Sequence, residues 1–407
     1  MTIRMDEGAA ELLDTLHRAG YAAYVVGGCV RDSLLGLTPH DWDLCTSALP
    51  QQGMELFGAE KCIPTGLQHG TVTVKQGGGL YEITTFRTEG AYTDGRHPDE
   101  VHFVPDVRED LARRDFTINA MAYNAKEGLV DPFGGQADLQ SGILRAVGVP
   151  HQRFTEDALR ILRLYRFAAR FGFSIDPPTA QAAQELCAHL DCVSVERIEE
   201  ELAKLLSAPA PAAYLDKKIL LVILPELSSE ALAAAKPVVD ACPAGAENLP
   251  IRLAALLLSL GEDGTRRTLR RLRCSNACIE ETAVLVREAV PGVPGAFSSD
   301  TSSSCGTQRM LCALSSTRIL LAAAPTATPC FRRRRQSLPL QAIPSPALLP
   351  YGQQGPTPAD GPQRNFRRVS RQTTMAHNEY TPPAFQSRAG YKNCLLYTSP
   401  SPRDISG

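Results

Sequence analysis

The stretch that most constrains this chain is "YAAYVVGGCVRDSLLGLTPHDWDLCTSA", from Tyr21 to Ala48. "YAAYVV" is a nearly unbroken apolar run of strand length, and Gly27 and Gly28 end it in a turn. "VRDSLLG" reads as a short helix closed by Gly36. In "DWDLCTSA" the residues alternate as in a strand, which points Asp41 and Asp43 to the same face. Carboxylates that close repel each other, so the pattern calls for positive charge between them. Such a pair can hold divalent cations about 3.5–4 Å apart, the spacing of two-metal phosphoryl transfer. Mg2+ is the hard cation that prefers these oxygens and shares them with a substrate triphosphate. Gly27 and Gly28 allow backbone N–H groups to approach phosphates. Arg31, one turn into the following helix, is placed to neutralise a triphosphate. Glu82, in "YEITTF", is a third carboxylate on a neighbouring strand, either a solvated residue or a member of the metal site.

Composition narrows the remaining classes. The chain has 407 residues, enough for two or three domains. Its net charge of −2 gives no global attraction to nucleic acid, so any basic surface must be local. The first residues carry acids and no apolar core, unlike a secretory signal, and no apolar run approaches the ~20 residues of a membrane span. Among 12 cysteines there is no C-x-x-C, and the closest pair in polar surroundings is Cys274 and Cys278. They read as free thiols, mostly buried, in a reduced cytoplasm. The eight histidines show no ligand spacing.

Residues 6 to 19 have helical periodicity, and "GTVTVKQ", "LYEITTFRT" and "EVHFVPD" are strand candidates, so residues 1 to about 140 mix strands and helices. From Leu139 the texture turns helical. "TEDALRILRLYRFAARFGF" reads as one helix starting near Thr155, and "SVERIEEELAKLLSA" as a second, amphipathic one.

Seven motifs occur in order: "GGCVRD", "DWDLCTSA", "TGLQHGTVTV", "FRTEGAYTDGRHP", "RRDFTINAMAY", "DPFGGQADL" and "EDALRILRLYRFAARFGF". Together they resemble the class II nucleotidyltransferases, specifically the bacterial CCA-adding tRNA nucleotidyltransferases, densely over residues 10 to 205 and loosely to 292. The resemblance implies an α+β fold: a polymerase-β-like head with a mixed sheet (1–140), a helical neck (141–206) and a helical body (207–292). It implies transfer of CMP, CMP and AMP from CTP and ATP to a tRNA 3′ end, with Mg2+. Asp41 and Asp43 match the metal-binding pair. Gly28 and Arg31 match triphosphate contacts, and Arg114 matches a nucleotide-contacting arginine with Asp115 and Asn119 toward the ribose. Asp157, Arg160, Arg163 and Arg166 match a nucleotide-binding face of the neck. Poly(A) polymerases and CC-only adding enzymes share the head; a non-catalytic RNA-binding protein is the alternative from another class, and such a binder has no use for both aspartates and the base-reading pair. Some relatives carry a metal-phosphohydrolase domain, but "LLLSLG" at Leu256 to Gly261 lacks its ligands.

The neck face also follows from spacing. Asp157, Arg160 and Arg163 recur every three residues, along one flank if the helix is continuous. Taken alone they form either a salt-bridge ladder or a reading face. An acceptor-only Asp beside a donor-only Arg matches a base edge with an amino group beside a ring nitrogen. Cytosine and adenine have that edge; uracil and guanine set an acceptor against the Asp.

After about Gly292 the chain becomes rich in Ser, Pro, Ala and Arg and poor in acids. Its end, "CLLYTSPSPRD" from Cys394 to Asp404, can be encoded by a nucleotide string that resembles a transposase-type sequencing adapter. Residues 293–407 therefore read as a frameshift and adapter read-through that cuts the body short; the alternative is a basic tail for tRNA phosphates.

Overall fold

The computed structural model describes residues 2–90 and 100–289. Most of the "TEGAYTDGRHPDE" loop and all of 293–407 lie outside the described residues.

The first half follows the apolar alternation closely. Helix α1 (Glu7–Arg18) turns Leu12, Leu13 and Leu16 inward, and its Asp6 cap accepts from the N–H groups of Gly8 and Ala9 at 3.0 and 3.3 Å. Strand β1 (Ala23–Val26) is buried throughout and runs through Gly27 into α2 (Gly28–Leu34). Next come β2 (Leu44–Thr46), α3 (Pro50–Phe57), β3 (Cys62–Gly66), β4 (Thr71–Gln76) and β5 (Gly79–Thr85). Strands β6 (Arg87–Glu89) and β7 (Val101–Phe103) pair separately. Helix α4 (Val107–Ala112), β8 (Ala122–Asn124), β9 (Gly128–Val130) and α5 (Gly135–Ser141) complete the half. The sheet has seven strands in the order β3-β4-β5-β2-β1-β8-β9. Only the β2–β5 pair is parallel; the rest are antiparallel. The expected mixed sheet is therefore present. The strand read through "DWDLCTSA" is shorter than expected: it starts at Leu44, and Asp41 and Asp43 lie in the segment leading into it.

Helices dominate thereafter: α6 (Pro150–Glu156), α7 (Leu159–Phe171), α8 (Pro177–Glu185), α9 (Val195–Leu206), α10 (Lys217–Ile223), α11 (Ser229–Ala241), α12 (Leu249–Leu257), α13 (Gly261–Arg271) and α14 (Asn276–Ala289). The single helix expected from Thr155 is two helices. Pro150 opens α6, so Thr155 lies inside it and its hydroxyl donates back to the His151 carbonyl (2.8 Å). Asp157, extended at φ −145° and ψ 104°, breaks the run before α7. Periodicity alone missed the break because the apolar stripe resumes in phase.

One buried cation fastens the end of α9. Arg252 of α12 has no exposed surface and donates from all three of its nitrogens to carbonyls. Its partners are Pro243 (2.8 Å), Cys242 (3.0 Å), Pro209 (3.4 Å), Leu206 and Ala208. No described helix is long and apolar enough to cross a membrane, and the eight described cysteines are free, five of them buried.

Candidate active site

The glycine turn and the carboxylates are built as one unit. Gly27 has φ +78° and ψ −121°, a backbone shape that side chains disfavour. Just before it, the Val26 N–H donates to the Asp43 carbonyl at 2.9 Å, pinning the acid segment to the end of β1. In the parallel pairing Leu44 stands opposite Ile83, so one step back Asp43 stands beside Glu82. Leu44 and Ile83 are buried, whereas Asp41, Asp43 and Glu82 are exposed. The pleat thus turns Asp43 and Glu82 to one open face.

This face is electrostatically crowded. The Asp43 carboxyl is pushed above the usual range, first by the protein around it and then by Glu82, with Arg114 opposing and Asp41 adding. Among the described residues neither the Asp41 nor the Asp43 carboxylate accepts a hydrogen bond or forms an ion pair. By contrast, nearby Asp32, Asp110, Asp115 and Asp157 are all held by arginines. Unpartnered oxygen donors that repel one another suit a hard divalent cation. Among the described residues no three acids, histidines or cysteines converge on one ion. Glu82 stands beside the pair, and substrate oxygens or water would complete any coordination.

The arginines differ in how free they are. Arg31 is only 4% exposed. Its Nε donates to Asp32 (2.8 Å) and its Nη1 to Asn119 (2.6 Å), while its guanidinium lies 5.2 and 5.0 Å from the ring centres of Phe167 and Phe171. It braces α2 against α7. Gly28 begins α2 and lies against this guanidinium: a side chain there would start 3.7 Å from Nη2. Arg114 keeps more capacity. Its Nη2 donates to Asp110 (3.3 Å), its Nη1 lies 3.0 Å from where a Gly27 side chain would begin, and its buried Nε has no partner among the described residues.

On the neck, Asp157 lies at the α6–α7 break rather than on a helix flank. It accepts from the Leu159 N–H (3.0 Å) and pairs with Arg197 of α9 (2.8 Å). Arg160, the second residue of α7, donates to the Arg153 and Arg113 carbonyls (3.0 and 3.2 Å) and to Glu156 (2.6 Å). Arg163 grips Asp115 and reaches Glu201 (3.8 Å); Arg166 donates to Glu201 and lies 3.8 Å from the Phe167 ring centre. The ladder expectation holds in part: these arginines pair with acids of other segments, not with Asp157.

Two supporting acids were missed from sequence. Asp110, fully buried, accepts from Arg113 (2.8 Å) and Arg114. Its three- and four-residue spacing to them was the available signal. Glu201, 4% exposed, lies on the stripe Ile198, Leu202, Leu205 that faces the core. An acid on an apolar stripe implies a buried cation opposite.

A mixed sheet that presents an unpartnered carboxylate pair beside a glycine turn defines a nucleotidyltransferase head. Residues 23–145 match the poly A polymerase head domain, and residues 172–230 match the "Probable RNA and SrmB-binding site of polymerase A". The CCA-adding enzyme of Lactobacillus helveticus is 42% identical over 283 residues, which cover 69% of this chain and 70% of that one. The enzyme of Lactiplantibacillus plantarum is 49% identical over 209 residues, 51% of each chain. Among solved structures, the Bacillus stearothermophilus CCA-adding enzyme in complex with CTP superposes with a TM-score of 0.63 at 34% identity, covering 79% of this chain and 80% of that one. The chain belongs to the family of bacterial CCA-adding enzymes. It spans about half the length of the first curated relatives it matches.

Proposed function

We propose that this chain adds CMP, CMP and AMP to tRNA 3′ ends from CTP and ATP, without a nucleic-acid template, in the cytoplasm and with Mg2+. The observation that carries this is the unpartnered pair Asp41 and Asp43 beside Glu82, in a region whose other acids are neutralised. Asp41 and Asp43 would hold the metal. When bound there, Mg2+ would supply the positive charge that favours ionisation of the 3′-hydroxyl and offsets charge on the triphosphate. Arg114 lies beside Gly27 and opposes the charge at Asp43, and the backbone at Gly27 and Gly28 allows close approach of phosphate. Asp157 as acceptor and Arg160 as donor meet at the α6–α7 break, and once a base takes the place of Arg197 on Asp157 and of Glu156 on Arg160 they would together complement cytosine or adenine. An unpaired buried polar group costs about 1–3 kcal/mol, which favours C and A tens- to hundreds-fold over U and G.

We divide the chain at 140 and 206 into head, neck and body. We read 293–407 as frameshift and adapter read-through, which the intact mass of the protein from its source organism tests. The functional test is sequencing of tRNA after incubation of 3′-truncated tRNA with all four nucleotides and Mg2+. Addition of CCA supports the proposal; CC alone, an A tract or no addition overturns it.

A further inference from the structure

One buried acid holds both arginines of the "RRDFTINA" segment, and it holds them unequally. Asp110 lies on α4 among Val107 and Leu111, which pack the helix against the sheet, and it has no exposed surface. Its Oδ1 is loaded with three donors: the Arg113 Nε (3.0 Å), the Arg113 Nη2 (2.8 Å) and the Arg87 N–H at the start of β6 (3.3 Å). Arg113 is also fixed from a second side, since its Nη1 and the Arg87 Nη2 both donate to one Glu89 oxygen, at 2.8 and 3.0 Å. Oδ2 of Asp110 carries a single long bond, from the Arg114 Nη2 at 3.3 Å. That is the one hydrogen bond the Arg114 side chain makes among the described residues.

We propose that Asp110 is a positioning residue for the incoming nucleotide: it anchors Arg114 by one edge and leaves the other edge of the guanidinium to the substrate. The inference rests on the nucleotide-transfer reading and assigns within it a residue that touches no substrate. Arg114 sits beside the glycine turn, its Nη1 3.0 Å from where a Gly27 side chain would begin, and its charge opposes the crowding at Asp43. With no anchor, such an arginine would collapse onto the unpartnered carboxylates; with acids on both edges, it would have nothing left to give a ligand. A single bond to a buried acid avoids both. Burial works against ionisation of Asp110, but the charges of Arg113 and Arg114 outweigh it and hold the carboxyl below its ordinary range, which keeps the anchor charged.

The unequal loading makes one substitution selective. Asparagine at 110 keeps one acceptor oxygen and gains an amino group that only donates. The oxygen stays where three donors converge, on Arg113 and Arg87. The amino group then faces the Arg114 Nη2, donor against donor, so Arg114 is released while Arg113 remains in place.

The test measures CTP affinity by titration calorimetry in the full chain, in Arg114→Ala, in Asp110→Asn and in the double variant. Arg114→Ala should weaken binding about tenfold, and Asp110→Asn should do nearly the same. In the Arg114→Ala background, Asp110→Asn should change affinity by less than about twofold, because it acts only through the arginine. In addition assays the loss should fall on the KM for CTP and leave that for tRNA unchanged, whereas a partly unfolded enzyme would lose kcat. Arg114→Lys leaves Asp110 untouched and serves as the second variant. It keeps the charge but lacks the planar fork that bonds Asp110 and a ligand from separate edges, so it should bind CTP as poorly as Arg114→Ala. No loss in Asp110→Asn, an equal loss with and without Arg114, or parent-like binding by Arg114→Lys would each overturn the positioning role and leave nucleotide transfer standing. Unchanged CTP binding in Arg114→Ala would remove Arg114 from the nucleotide site and overturn the inference with it.

Discussion

Asp115 and Arg163 form a two-pronged ion pair, with Nε and Nη2 of the arginine both donating to one carboxylate oxygen at 2.9 and 2.7 Å. The other oxygen accepts from Asn119 (3.0 Å) and from the Phe116 N–H (2.8 Å), and Asn119 in turn receives Arg31. The "RRDFTINA" segment, α2 and α7 are thereby tied through one buried acid. Burial works against its ionisation, but Arg163 and Asn119 outweigh it and hold the carboxyl down at about 2, against an ordinary 3.8. A depressed folded value stabilises the fold above the unfolded value, and that stability is lost as pH falls through the folded one. Roughly 2 kcal/mol should be present above about pH 4 and vanish toward pH 2. Urea denaturation across that range should show this slope in the parent and a flatter one in Asp115→Asn. Equal slopes would rule out this pairing.

Asp41→Ala or Asp43→Ala should lower nucleotide addition at least ~1000-fold, about 4 kcal/mol in the barrier, because one carboxylate cannot hold the metal pair. Neither carboxylate has a hydrogen bond or ion pair to lose, and around Asp43 burial, Glu82 and Asp41 outweigh the favourable charge of Arg114, so removing one acid relieves the crowding. The melting temperature should therefore hold or rise. Single-turnover assays at saturating Mg2+ with parallel calorimetry check both; turnover within tenfold of the parent would refute the assignment.

Gly27→Ala combines two penalties. Its backbone sits at φ +78°, and the new methyl would lie 3.0 Å from the Arg114 Nη1. The backbone term alone costs about 1–3 kcal/mol. Displacing Arg114 should also weaken CTP binding, read by titration calorimetry. Gly20→Ala, at φ +89° with open space around it, is the control: it should destabilise without changing CTP affinity.

Asp157→Ala and Arg160→Ala should raise UMP incorporation relative to CMP, since each removes half of the base-edge complement. Asp157→Ala should also cost about 1 kcal/mol through the lost cap on Leu159. Rates measured with each nucleotide singly separate the effects: a uniform slowing of all four means that the pair positions the nucleotide without reading it.

Much of this was legible in the sequence, for identifiable reasons. Leu12, Leu13 and Leu16 repeat at helical spacing and are buried. The apolar run before Gly27 is a strand with every residue inside. The Asp41–Asp43 pair was visible because acids repel and need an explanation. The α6–α7 break was not, because it depends on Pro150 starting a helix early and on the Asp157–Arg197 pairing across 40 residues. The state of Arg31 was also hidden: its burial between Asp32, Asn119 and two phenylalanines follows from packing that no local pattern encodes.

Arg252 sets an order of assembly. The carbonyls it collects come from the end of α9, the residues just after it, and the turn that follows α11. Those acceptors have no shared cation until α12 arrives. A nascent chain that has not yet released residue 252 therefore holds α9 with an open, solvent-wet terminus. Once α12 docks, α9, α11 and α12 share one fastening, and none can unravel locally without stranding a buried charge. The junction should close late and open as a single cooperative unit, so that amide exchange in these three helices reports one common opening event.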